Sequence, residues 1–117
     1  MKLLYFLKVH ITVKDGKMPF FIDLTQKLIP VVQAETKWKL IAALSAVTGI
    51  PNTILHLWQI PSADSLLEEM NYFASDPLKN LYPPLLECCE EQRQELYTAM
   101  PYNPLGANTP DRQHLSY

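Results

Sequence analysis

An α+β fold with its elements in the order β-α-β-β-α-β is predicted by three features of this sequence. Leu7 to Val13 alternates apolar and polar side chains, with β-branched residues at 9, 11, 12 and 13. Two further extended segments flank the turn cluster Thr48-Gly49 and Pro51-Asn52. Two other stretches carry apolar side chains at helical spacing. The 117 residues suit one domain, and 48% apolar against 19% charged residues gives a core of modest size. Ten basic and 12 acidic side chains leave a formal charge of −2, with a pI of about 5.9. That balance, without a basic stripe, argues against a nucleic-acid binder. Aromatic and branched apolar residues are too plentiful for disorder.

The elements follow in order. Leu3 to Val13 reads as a strand whose Leu7, Val9, Ile11 and Val13 face one way and Lys8, His10 and Thr12 the other. Lys8 and His10 interrupt the apolar start too early for a secretion signal, so a mature soluble chain is expected. Asp15-Gly16 makes a turn. Pro19 suits the start of a helix bearing Phe20, Phe21, Leu24 and Leu28, and Pro30 is expected to kink or stop it, with a last turn through Gln33. Thr36 to Val47 reads as a second strand with Trp38, Leu40, Ala42 and Leu44 on one side. Asn52 to Ile60 is the third, an antiparallel partner with Leu55 and Leu57 on one face and Ile54, His56, Trp58 and Ile60 on the other.

Ser62 caps a second helix carrying Leu66, Met70 and Phe73. Asp76-Pro77 starts another helical stretch, and Pro83-Pro84 breaks it into two short pieces, with Glu90 to Arg93 as its solvated end. Gln94 to Met100 closes the pattern as a fourth strand. The domain is expected over residues 1–101, with 102–117 as an irregular tail. The two cysteines, Cys88 and Cys89, are adjacent and so poorly placed for a disulfide. They read as reduced thiols on a helix, one buried and one partly exposed, and point to a cytoplasmic setting.

Assembled, the elements give a ferredoxin-like layer, a four-stranded antiparallel sheet with helices on one face. The other face is expected to show Trp38, Leu40 and Leu44 beside His56, Trp58 and Ile60. A monomer rarely leaves so much apolar surface to water, so a homodimer with its sheets pressed together is expected.

Ile54-Leu55-His56-Leu57-Trp58, then a helix, then Ser75-Asp76-Pro77 with an apolar helical stretch, resembles the NIPSNAP family. The preceding hairpin partner, the break at Leu28-Ile29-Pro30 and the strand–Asp-Gly-Lys–helix opening are similar to that family as well. The resemblance covers most of Leu3 to Met100. It implies a dimeric α/β barrel, two ferredoxin-like sheets around an inner cavity. Proteins of that architecture include cofactor-free monooxygenases of antibiotic biosynthesis, haem-degrading enzymes, polyketide cyclases and muconolactone isomerase-like enzymes. The family brings no agreed catalytic motif, so the fold does not fix the activity.

The chemistry-bearing residues are His10, His56 and Lys8, with Trp58, Trp38 and Thr12 as candidate ligand contacts. The first and third strands are central neighbours in this fold. Leu55 and Leu57 are expected to meet the helices, which would send His10 and His56 together to the barrel side. Two imidazoles in an apolar cavity suit general acid–base work, Lys8 a developing oxyanion, and the indoles an aromatic body. The bland alternative is equally physical: His56 and Trp58 as packing groups at a dimer seam, and Lys8 snorkelling to water. Two histidines without further spaced ligands make a poor metal site, and no phosphate loop or nucleophile elbow is present.

The expected function is that of a homodimer holding a small apolar or aromatic molecule between sheet and helices. It would act without a cofactor as a cyclase, isomerase or monooxygenase-type proton-transfer enzyme on a carbonyl or polyketide-like intermediate. No nucleic-acid or membrane partner is expected. The competing reading is a non-catalytic interaction or ligand-binding module; haem or flavin handling is a third, and would colour the protein.

Overall fold

The computed structural model describes residues 4–72, 78 and 80–104 (backbone alone at 69–72). Its elements run β1 (Tyr5–Val13), α1 (Met18–Glu35), β2 (Lys39–Ser45), β3 (Thr53–Ile60), α2 (Ala63–Tyr72), α3 (Tyr82–Glu87) and β4 (Cys89–Thr98). The four strands form one antiparallel sheet in the order β2-β3-β1-β4, the ferredoxin-like arrangement. Leu7, Val9, Ile11 and Val13 of β1 and Ile54, Trp58 and Ile60 of β3 join Phe21, Leu28 and Val32 of α1 in the core. No helix among the described residues is long and apolar enough to cross a membrane.

Helix α1 runs unbroken for 18 residues, through Pro30. A proline there forfeits a backbone hydrogen bond, yet the helix persists because Phe21, Thr25, Leu28 and Val32 bury one stripe on both sides of it. Pro30 itself is exposed, so the neglected carbonyl faces water. The helix stops at Thr36, whose Oγ1 donates to the Val32 carbonyl at 2.7 Å and accepts from the Trp38 N–H at 3.0 Å. One threonine thus ends the helix and aims the chain at β2.

Strand boundaries differ most from expectation at β2 and β4. β2 is shorter than Thr36–Val47, since Trp38 lies before it and residues 46–52 form the connection to β3. A bulge at Ile41 shifts its register: Leu40 pairs with Trp58, then Ala42 with Leu57 and Leu44 with Leu55. One extra residue inverts the alternation, so Leu40 and Leu44 do not share a face. β4 begins at Cys89 rather than Gln94, which makes Glu90 to Arg93 strand and not helix end. Cys88 closes α3 and Cys89 opens β4; both thiols are free, one buried and one half-buried. Pro83 and Pro84 occupy the first turn of α3, where a proline is tolerated, and so mark a start. The Asp76-Pro77 expectation and the tail beyond residue 104 lie outside the described residues.

Candidate functional site

Register decides where each candidate points. In an antiparallel pair, residues directly opposite share a face. Val9 lies opposite His56 and Leu7 opposite Trp58, so His56 and Trp58 face the helices. His10 lies opposite Leu55 and Lys8 opposite Leu57, which places Lys8, His10 and Thr12 on the face away from the helices. The expected pairing of His10 with His56 is therefore corrected. The two imidazoles sit on opposite sides of the sheet, and Leu55 and Leu57 turn away from the helices. Trp38 also belongs to the helix side, against Trp58 at a ring separation of 6.1 Å.

On the helix side, His56 is 8% exposed and stacks on Phe21 at 6.3 Å and 29°. Burial pushes its imidazole below the ordinary range, because the charged form loses hydration. No hydrogen bond to the ring is made among the described residues. His56, Thr25, Tyr82, Gln92 and Gln94 supply the polar atoms of an inner cavity of about 60 Å³, walled by apolar side chains including Val9 and Trp58. A groove of about 220 Å³ between α1 and β2 adjoins it, lined by Phe21, Ile22, Gln26, Ala43, Leu44 and Ser45. Thr25, Ile29 and His56 belong to both, so His56 stands where the groove meets the interior.

The neighbouring polar groups are partly committed. The Trp38 indole N–H donates to Ser65 Oγ at 2.8 Å in a buried contact, tying β2 to α2. Burial raises the Tyr82 phenol, an effect its side-chain hydrogen bond with Gln92 opposes. The buried hydroxyl of Thr25 has no hydrogen-bond partner among the described residues. Thr25 and Gln92 are not among the expected site residues. For Thr25 a signal existed: it falls at the centre of the Phe21–Leu28 apolar stripe, a polar group where the pattern calls for a hydrocarbon.

The face away from the helices carries a ladder of charges across β1 and β4. Lys8 Nζ lies 3.6 Å from Glu95, Arg93 Nε lies 3.2 Å from Glu91, and Arg93 donates from Nη2 to His10 Nδ1 at 3.2 Å. Around these lie apolar side chains: Phe6, opposite Gln59 and Tyr97, with Leu55, Leu57, Ala42 and Leu44. Lys8 is thus occupied by a carboxylate on the side away from His56, and cannot share a cavity with it. Among the described residues no group of three or more His, Cys, Asp or Glu side chains is placed to hold a metal ion.

The order of strands and the helix-covered face define the class: a ferredoxin-like α+β domain. A NIPSNAP family protein from Agrobacterium tumefaciens superposes with a TM-score of 0.79 at 19% identity, covering 90% of this chain and 93% of that one. A NIPSNAP domain protein from Burkholderia xenovorans gives 0.74 at 16% identity, covering 86% and 98%. A proposed antibiotic biosynthesis monooxygenase from Caulobacter crescentus gives 0.68 at 15% identity, covering 85% and 92%. No curated protein matches the chain. The family model NIPSNAP matches residues 10–104, and the chain belongs to the NIPSNAP family.

Proposed function

We propose that this chain is a homodimeric, cofactor-independent proton-transfer protein whose site is the His56 cavity between sheet and helices, taking a small apolar or aromatic carbonyl compound. The observation that carries the reading is the buried, desolvated imidazole at the junction of an inner cavity and an outer groove. A histidine kept neutral by burial has a ring nitrogen lone pair available near neutral pH. It can take the proton from a carbon next to the ligand's carbonyl. The C–H bonding pair then becomes the enolate, and the protonated imidazole returns the proton to the same carbon or another atom. Trp58 and Phe21 supply aromatic faces for the body of the ligand. Likeness to a proposed monooxygenase supports chemistry of this kind on this fold.

The face away from the helices supports the dimer. Leu55, Leu57 and Leu44 flank the charge ladder and need cover, and a second copy of the same face supplies both apolar and charged counterparts. His10, Lys8 and Thr12 then belong to that seam. Sedimentation at micromolar protein is expected to show two chains, and Leu57→Glu to release single ones.

The catalytic reading is tested by deuterium exchange into the methyl group of an aryl methyl ketone, followed by proton NMR. Exchange above the buffer rate is expected for the parent and His10→Gln proteins. His56→Gln is expected to lower it about 100-fold, the lower range of a general base's contribution. Parent protein that exchanges no faster than buffer refutes the enzyme. The non-catalytic ligand-binding module is the second reading, favoured by one observation: 60 Å³ is small beside the several hundred cubic ångströms typical of ligand pockets.

A further inference from the structure

We infer that the hydroxyl of Thr25 is the anchor for the ligand's carbonyl oxygen, donating a hydrogen bond to it inside the His56 cavity. The inference rests on the carbonyl reading above and names the residue that would recognise that group.

Thr25 is 7% exposed, and its Oγ1 is buried without a hydrogen-bond partner among the described residues. That is unusual on two counts. A buried hydroxyl left unpaired costs free energy that a valine of nearly the same shape would not incur. A threonine within a helix also has a partner close at hand, the carbonyl four residues back, here that of Phe21. Thr25 leaves that bond unmade.

The surroundings do not supply a substitute. Tyr82 and Gln92, which share the cavity, are engaged with each other. Gln94 and His56 also line the cavity, and neither is bonded to the hydroxyl; Leu28, Ile29 and Trp58 complete the nearby walls. The unpaired hydroxyl thus stands in a mostly apolar enclosure, beside the one imidazole that lines it. Both Thr25 and His56 also line the outer groove, so a molecule entering between α1 and β2 meets the two together. A donor at that point meets the oxygen on which negative charge grows as His56 removes a proton. Thr25 thus selects compounds with an oxygen acceptor next to an apolar body, and discriminates against hydrocarbons of the same outline.

Two probes of matching shape isolate this contact: acetophenone, and α-methylstyrene, in which a methylene group replaces the carbonyl oxygen. Dissociation constants are measured by ligand-observed NMR on the full chain for the parent protein, Thr25→Val and Thr25→Ser. Thr25→Val is expected to weaken acetophenone roughly three- to tenfold and to leave α-methylstyrene unchanged or tighter, with Thr25→Ser restoring most of the ketone affinity. Thr25→Val is also expected to melt no lower than the parent, since no protein partner is lost. The inference is overturned if acetophenone does not bind the parent, or if Thr25→Val shifts both probes equally. A marked fall in melting temperature on Thr25→Val overturns it too, by showing that the hydroxyl had a partner within the protein. Affinity is read without turnover, so an inert His56 and an idle Thr25 give different results.

Discussion

The buried bond between Trp38 and Ser65 joins the residues entering β2 to α2, and its strength can be measured by a double-mutant cycle. Each residue is 3% exposed, so neither group can turn to water when its partner is removed. Ser65→Ala strands the indole N–H, and an unpaired buried donor costs about 1–3 kcal/mol. Trp38→Phe loses the same 2.8 Å bond, strands the serine hydroxyl and thins the contact with Trp58, for roughly 2–4 kcal/mol. The double variant strands neither group. Its loss should fall short of the sum of the two singles by about 1–3 kcal/mol. Equilibrium urea unfolding, followed by far-ultraviolet circular dichroism at one protein concentration, provides all four energies. Single losses that add to within about 0.5 kcal/mol would mean that the bond does not couple α2 to the sheet.

Two further outcomes follow from named residues. Burial lowers the His56 pKa below the unfolded value of 6.5, so between the two values the unfolded chain binds the extra proton. Stability should be fully present above pH 6.5 and fall as the pH drops below it; thermal melts from pH 8 to pH 5 should show that slope, and an equal slope in His56→Gln would remove histidine as its cause. Pro30→Ala should stabilise the protein by roughly 1–3 kcal/mol, because it restores an interior helix hydrogen bond at an exposed position. Unchanged or lower stability in chemical denaturation would show that the proline is not a cost to this helix.

Strand and helix order was legible because the central strand β1 is buried on one face and alternates cleanly from Leu7 to Val13. What failed did so for local physical reasons. β3 is apolar on both faces, Leu55 and Leu57 against Ile54, Trp58 and Ile60, so its pattern alone could not say which set meets the helices. That ambiguity put His10 and His56 together, and only pairing with β1 separates them. β4 is an exposed edge strand whose Glu90 to Glu95 run has no apolar alternation to read. Pro30 was weighed by its local cost, whereas burial on both sides of it decides the helix. His56 and Trp58 are legible as candidates from residue type and their place on the third strand; Thr25 is not, because a single threonine in an apolar stripe is ordinarily bonded to its own helix.

The bulge at Ile41 has a consequence for how this strand can change. Ala43, Leu44 and Ser45 rim the groove that leads to His56, while Ala42 and Leu44 pair with the leucines of the opposite surface. Losing one residue there would exchange the two sets rather than merely shorten the strand. The entrance and the seam thereby share one short segment, and a single deletion rewrites both at once.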